Sequence, residues 1–345
     1  MTSPYRTGPP RNKTISPFVV SLLSRLGWAG LAASFLLLCT SIVSYIGRWD
    51  IIAAASFFPF WTWGIAGLGL AVTGWFFNRA HRSFLVLCLM WATAISFLSD
   101  DLSRFLVSFF QAPQSSRKNE RLAQLRVVTL NCSGQSAAAG EVASENPDLV
   151  LLQESPPEDA VARLAKELYG GHGGYLYGFD CSIISRGPVY PLPAPKGAHF
   201  TRAGVHVQGG REIEVASIRL SPPEIRFDLW DPACWTAHYI DRLGRREQLA
   251  ELLTEHNRSD DGRLRIVGGD FNVPGGDGIL RMIEPAMKDS FREAGAGWGN
   301  SAINDLPVSR PDQIWISKSC RARAVRTKQS SFSDHRMVIT DLDLE

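Results

Sequence analysis

Residues 264–272 read Leu-Arg-Ile-Val-Gly-Gly-Asp-Phe-Asn: a short apolar strand candidate, Leu264–Val267, then two glycines, then an acid and an amide, Asp270 and Asn272. The same arrangement recurs outward from this stretch. Leu125–Leu130 (LRVVTL) runs into Asn131, and Asp148–Gln153 (DLVLLQ) runs into Glu154. Asp312 stands just ahead of Gln313–Ile316, and Asp334-His335 just ahead of Met337–Leu342. Short apolar runs rich in β-branched residues predict buried strands. Ser182–Ser185 and Ile213–Leu220 are further candidates. Between them lie helix signals. An Ala-rich stretch precedes Asn146-Pro147. Ser155-Pro156-Pro157-Glu158 has the spacing of a capping box with Pro at the first turn. Ala160, Val161, Leu164 and Leu168 then form an apolar face that Gly170 closes, and Arg245–Glu255 turns Leu249, Leu252 and Leu253 inward. Strands interleaved with helices, then more strands, predict a layered α/β sandwich. There is no internal repeat.

The first third differs. The 345 residues are 45% apolar and 20% charged, which excludes a disordered chain, and six cysteines exclude a disulfide scaffold. The net charge of +2 is made of +5 over residues 1–111 and −3 over 112–345, and six of the ten tryptophans precede residue 111. The acidic second part lacks the bulk charge of a general nucleic-acid binder. Runs of 22, 28 and 17 residues free of Asp, Glu, Lys and Arg lie between Arg25 and Arg48, Asp50 and Arg79, and Arg82 and Asp100. About 20 apolar residues cross a bilayer as a helix. We therefore expect a transmembrane region over 1–111, with spans near 26–47, 52–77 and 83–99. Arg6, Arg11, Lys13 and Arg25 ahead of the first span, and Arg79 and Arg82 in the second loop, put those segments in the cytoplasm by the positive-inside rule. Three spans then leave the rest outside an integral plasma or inner membrane protein; a re-entrant third run would reverse this. Leu102, Phe105, Leu106, Phe109 and Phe110 make 100–110 an amphipathic segment, lying in the membrane interface or packed on the following domain. Residues 112–124 read as a polar linker to a domain at 125–345.

The chemistry sits at the strand ends. Taken singly, strand-end Asp and Asn residues are turn formers, Gly268-Gly269 is a simple bulge, and Asp334-His335 is a surface pair. Glu154 is different, because a carboxylate closing a buried apolar strand must be paired or bind a cation. Oxygen donors without a Cys/His cluster favour a hard cation such as Mg²⁺ or Mn²⁺. A carboxylate beside His335 fixes its tautomer and supports a positive charge. Metal, histidine and carboxylates together suit hydrolysis at phosphorus.

In this order, Leu130-Asn131, Leu152-Gln153-Glu154, Ile184-Ser185-Arg186, Gly269-Asp270-Phe271-Asn272, Arg310-Pro311-Asp312 and Ser333-Asp334-His335 resemble the endonuclease/exonuclease/phosphatase superfamily of nucleases, inositol-polyphosphate phosphatases and sphingomyelinases. The resemblance covers about 125–345. It implies an α/β (α+β) four-layer sandwich, two mixed β-sheets flanked by helices, here preceded by an all-α transmembrane region of about three helices. It implies hydrolysis of a phosphodiester or phosphomonoester by metal-assisted water attack. By position, Glu154 would ligate Mg²⁺ or Mn²⁺ with Asn131 close by, and Asp270 would orient or deprotonate the water. Asn272 would hydrogen-bond a phosphoryl oxygen. Asp312 would orient His335, and Asp334 would be a metal ligand or a partner of the histidine. His335 would be a general base, or a cation facing negative charge on phosphorus.

The chain departs from the pattern in places. Many members end the middle strand in His-Leu, where this chain has Arg219-Leu220; the arginine grips phosphate or is a solvent-facing strand end. Pro311 replaces an apolar residue beside Asp312. The stretch from Ser221 to Gly244, with Phe227, Trp230, Trp235 and Tyr239, is long for this connection and reads as a substrate-shaping or membrane-facing loop, or as a small core of its own. Cys132, Cys181, Cys234 and Cys320 allow three disulfide pairings. Two functions stay open: a membrane-tethered phosphoesterase acting on a lipid headgroup, nucleic acid or small metabolite, with the bilayer as partner and no protein partner implied, or a catalytically silent scaffold on the same fold.

Overall fold

A computed structural model describes residues 16–110, 125–207, 209–258 and 263–344. In chain order the elements are α1 (Pro17–Gly47), α2 (Ala53–Phe57), α3 (Phe60–Asn78), α4 (His81–Leu98), α5 (Asp100–Phe110), β1 (Leu125–Asn131), α6 (Ser136–Glu141), β2 (Leu149–Gln153), α7 (Glu158–Tyr169), β3 (Gly174–Leu176), β4 (Cys181–Ser185), β5 (Val189–Pro191), β6 (Phe200–His206), β7 (Glu212–Arg219), α8 (Pro232–Arg258), β8 (Leu264–Asp270), β9 (Met287–Asp289), α9 (Ser290–Ala294), β10 (Asp312–Ser317), β11 (Cys320–Lys328) and β12 (Met337–Leu344). The chain divides into two units, Met1–Thr40 with Thr62–Ala94, and Ser41–Trp61 with Ile95–Glu345.

The first unit is helical. α1, α3 and α4 are each long and apolar enough to cross a membrane. Small residues let these helices approach closely. A Cβ on Gly67 would fall 2.1 Å from the Trp91 ring, and the Trp91 indole N–H donates to Ser34 Oγ at 3.2 Å. The span expected at 26–47 begins nine residues earlier, at Pro17. The run expected to cross at 52–77 splits instead. Its first residues form α2, and Phe58 is extended (φ −77°, ψ 143°) ahead of Pro59, after which α3 starts. The clash of a proline ring with the preceding residue accounts for the break. Residues 53–57 thus belong to the second unit.

The second unit is the expected sandwich. One six-stranded sheet runs β11-β12-β1-β2-β4-β3, the other β5-β6-β7-β8-β10-β9. β1–β2 and β7–β8 are parallel and their neighbours antiparallel, so both sheets are mixed. Val127, Leu149, Leu151, Ile266 and Ile314 fill the space between the sheets. Their chain neighbours Val128, Val150 and Leu152 face α6 and α7, and Val267 and Trp315 pack with Leu249 and Leu252 of α8. Burial on both faces is why these strands read as continuous apolar runs rather than alternating ones.

Local departures have physical causes. The Ser155 hydroxyl makes no hydrogen bond, and Pro157 precedes the helix without a side-chain cap, so the expected capping box does not form. β11 was not predicted because it alternates arginines with small residues along a sheet edge. β6 hides in a polar-looking stretch because Arg202 is buried against Glu214. The stretch expected to be a loop up to Gly244 is helical from Pro232, leaving a strap over Ser221–Asp231. The amphipathic segment 100–110 is helix α5, and Phe105 packs edge-on to Trp298 at 5.7 Å between ring centroids. The linker at 112–124 lies outside the described residues. All six cysteines are free. Burial pushes the Cys132 thiol far above its ordinary range, as suits a core cysteine rather than a nucleophile.

Candidate active site

Strand register gathers the candidate residues at one edge. Asn131 pairs with Gln153 in the parallel β1–β2 ladder, so Asn131 and Glu154 leave the first sheet together. Arg219 pairs with Asp270 in the parallel β7–β8 ladder, and Asp312 lies opposite Asp270 across β8–β10. β12 runs antiparallel to β1 with Val338 opposite Thr129, which brings the preceding Asp334 and His335 to the end of β1.

One end of the site is closed. Asp270 and Asp312 are 1% and 0% exposed. Asp312 Oδ2 lies 2.8 Å from His335 Nδ1. Burial pulls the imidazole down, but the charge and hydrogen bond of Asp312, with Asp270 and Asp334 behind them, outweigh it and raise His335 to about 10. The ring is an imidazolium at neutral pH, with Nδ1–H given to Asp312. Asp270 is itself held above the ordinary carboxylate range, by burial first and then by Asp312. It accepts from the Asn272 backbone N–H at 2.9 Å and from Asn131 Nδ2 at 3.1 Å. Asp312 Oδ1 is buried without a hydrogen-bond partner.

The other end is open. Glu154 has a positive φ of 42°, a conformation that side-chain-bearing residues seldom hold and that clusters at functional sites. Its Oε1 accepts from Asn131 Nδ2 at 3.0 Å and from Arg219 Nη2 at 2.8 Å. Arg219 also reaches Asp180 at 3.4 Å, and its Nε is buried without a partner. A cleft of about 500 Å³ opens beside Arg219 and Asp180, lined further by His199 and the exposed Phe179.

Two candidates point elsewhere than expected. The Asn272 side-chain amide donates to the Leu220 carbonyl at 2.7 Å, which leaves its second N–H for any phosphoryl oxygen. The Asp334 carboxylate accepts from Ser133 Oγ at 2.5 Å, and among the described residues it hydrogen-bonds neither Glu154 nor His335. Asp180 and Ser133 were not singled out in the sequence, and Ser333 only as part of the Ser333-Asp334-His335 block. Ser333 Oγ bonds the Asn131 carbonyl at 2.6 Å. No local pattern marks such residues, because their partners arrive through strand pairing.

The site fits a hard cation. Asp270, Asp312 and His335 each bring one ligand atom within 4.8 Å of the others. The imidazole Nδ1, however, already serves Asp312 as a proton donor. The oxygen-only end suits a hard cation better: Glu154 and Asp270 share the Asn131 amide and so face one another across a single side chain. The orphaned Asp312 Oδ1 is a further free acceptor nearby.

Residues 128–335 match the model of the Endonuclease/Exonuclease/phosphatase family. Among curated proteins none matches the chain. Similar solved structures include the endonuclease/exonuclease/phosphatase from Bacteroides vulgatus, 14% identical with a TM-score of 0.50, covering 64% of this chain and 99% of that one. The endonuclease/exonuclease/phosphatase from Beutenbergia cavernae is 18% identical with a TM-score of 0.48, over 64% and 71% of the two chains. The Bacteroides thetaiotaomicron mannosyl-6-phosphatase is 14% identical with a TM-score of 0.47, over 63% and 99%. At these identities the likeness is one of fold.

Proposed function

The chain belongs to the endonuclease/exonuclease/phosphatase family, and on that premise we propose that it is a membrane-anchored, Mg²⁺- or Mn²⁺-dependent hydrolase of a phosphodiester or phosphomonoester. The observation that carries this reading is the Asp312–His335 pair, with the imidazole held protonated by the buried Asp312 beside Asp270 at the end of a half-open carboxylate cleft. Glu154, with Asn131 and Asp270, would hold the metal. When bound, the metal supplies charge neutralisation at a phosphoryl oxygen and lowers the pKa of a water. Asp270 orients the attacking water and, raised above ordinary carboxylates, is suited to take its proton. The imidazolium of His335 faces the charge that develops on phosphorus, with Asp312 fixing its orientation. Asn272 offers its free amide N–H, and Arg219 its unpartnered Nε, to the phosphate. Asp334 holds the loop through Ser133 and adds negative charge around His335.

The anchor is α1, α3 and α4. Two spans between Phe58 and Ser99 bring the loop after α1 and the sandwich out on one face. This agrees with the loop's contacts to α8, where Arg242 binds the Trp49 carbonyl at 3.0 Å and Arg246 pairs with Asp50 at 2.5 Å. It argues against a re-entrant third run. The basic residues then favour an extracytoplasmic sandwich by the positive-inside rule. The scaffold reading draws on one observation, the Arg219 guanidinium seated on Glu154 where a cation would approach.

The test is hydrolysis by the full chain in detergent micelles, with and without Mg²⁺ or Mn²⁺. Substrates are a generic diester, a generic monoester, single-stranded and duplex DNA, and phospholipid headgroups, with His335→Ala in parallel. Metal-dependent turnover lost in the variant is expected. Folded protein with no turnover and no metal binding favours the scaffold.

A further inference from the structure

We propose that the strap Ser221–Asp231 and the start of α8 form a lipid-seating surface that rests in the headgroup layer where α3 enters the membrane. The proposal builds on the membrane anchor of the preceding section and concerns a surface outside the catalytic cluster.

The first observation is apolar surface held outward. Ile225, Phe227 and Trp230 of the strap are 67%, 59% and 86% exposed, and Ile240 of α8 is 59% exposed. Trp49 and Ile51, in the loop between α1 and α2, are 55% and 72% exposed. Single exposed apolar residues are ordinary, but six on the strap, on α8 and on the loop that Arg242 of α8 binds are apolar surface held ready for a partner.

The second is that the strap is fixed in this pose. Arg226 pairs with Asp228 at 2.5 Å and Asp231 at 2.8 Å. Its carbonyl lies 3.0 Å from His238 Nε2, and the Trp235 indole donates to the Leu229 carbonyl at 2.8 Å. The polar groups of the strap thus satisfy one another, and Trp230 is presented by an ordered turn.

The third observation identifies the occupant. The Phe227 ring packs 5.7 Å from Phe58 and 6.5 Å from Phe57. Phe58 stands two residues ahead of Phe60, the first residue of α3. Two residues reach at most about 7 Å. The strap therefore touches the chain within one turn of its entry into a candidate span. Arg242, buried, clamps the same loop to the sandwich through Ser56 and Asp277, both at 2.5 Å. Strap and loop are one piece, and the chain runs from that loop directly into α3, so the occupant proposed for their apolar surface is the bilayer surface. Aromatic side chains at span ends favour the headgroup level.

The test places spin labels on single cysteines in the full chain, in vesicles of phosphatidylcholine and phosphatidylglycerol. Cys39 and Cys88 are first changed to Ala, while the buried Cys132, Cys181, Cys234 and Cys320 stay out of reach of the label. Labels are introduced by Ile225→Cys and Trp230→Cys, by Ile65→Cys on exposed α3 surface, and by Arg163→Cys on the exposed face of α7. Power saturation compares oxygen with a water-soluble nickel chelate. The oxygen-to-nickel ratio at 225 and 230 is expected to exceed that at 163 several-fold and to approach that at 65. A water-like ratio at 225 and 230 with a lipid-like ratio at 65 overturns the proposal and leaves the anchor standing. A water-like ratio at 65 overturns both. Hydrolysis of a soluble diester by the same labelled proteins reports the catalytic reading separately, since none of these positions lies in the catalytic cluster.

Discussion

The two ends of the candidate site balance charge in different ways. At the closed end Asp312 is fully buried and His335, paired with it at 2.8 Å, keeps only 13% of its side-chain surface, so the positive charge there is built into the fold. At the open end Glu154 and Arg219 keep 35% and 24% of their side-chain surface, and the positive charge sits on a side chain that water can reach. A buried pair is expensive to break because removing one partner strands the other. A half-exposed pair is screened and can be exchanged. On the proposed function, the contrast makes the closed end a fixed electrostatic part and the open end the exchangeable part that would answer to metal and phosphate.

The largest effect is expected from the closed end. His335→Ala and Asp312→Ala should each lower turnover about 10²–10³-fold at saturating metal. The double variant should lose no more than the worse single one, because the residues act as a unit. Single-turnover kinetics over a metal titration measures this. Losses that multiply, or that added metal restores, would erase the distinction between the two ends.

The same pair predicts how stability depends on pH. The folded pKa of His335, about 10, lies above the usual unfolded value of about 6.5. Its contribution is therefore fully present below about pH 6.5 and is lost as pH rises through about 10. Without metal, the wild type should exceed His335→Gln by about 3 kcal/mol near pH 6. The gap should close toward pH 10.5. Urea unfolding at the two pH values checks this, and a gap that widens with pH would place the positive charge elsewhere.

The open end should respond to metal instead. Glu154→Gln should raise the half-saturating metal concentration about 10–100-fold. Arg219→Ala should lower that concentration a few-fold by freeing Glu154. It should also raise KM by about tenfold, the worth of one charge-assisted hydrogen bond to phosphate. Mn²⁺ binding followed by electron paramagnetic resonance, beside steady-state kinetics, separates the two. Weaker metal binding in Arg219→Ala would mean that the arginine props Glu154 in place rather than competing for it.

Much of this contrast was legible in the sequence, for reasons particular residues make clear. Leu125–Asn131 and Leu149–Gln153 announced themselves because both faces of each strand are buried. Asn131, Glu154, Asp270 and Asp312 were marked by their places at strand ends, where register does the gathering. Asp180 was not, since its partner Arg219 reaches it only once β7 is in place. The first half of α8 was hidden because its partners are the residues 50–57 beyond α1, distant in sequence. Arg242, within that half, is a buried clamp. The break at Phe58-Pro59 was lost inside an uncharged run, where hydropathy sees no boundary.

Asp334 should give the smallest effect, and it decides to which end that residue belongs. It is exposed, and its carboxylate accepts from Ser133 at 2.5 Å rather than from His335. Its charge reaches the imidazole only as one of several contributions behind Asp312. Asp334→Ala should then cost one hydrogen bond, about 1 kcal/mol, and less than tenfold in turnover. Ser133→Ala should reproduce that loss, and the double variant should add little to it, because both changes remove the same bond. Turnover and the half-saturating metal concentration, measured on all three variants, test this. A loss of 10² or more in Asp334→Ala alone, with weakened metal binding, would make Asp334 a ligand and move it to the open end beside Glu154.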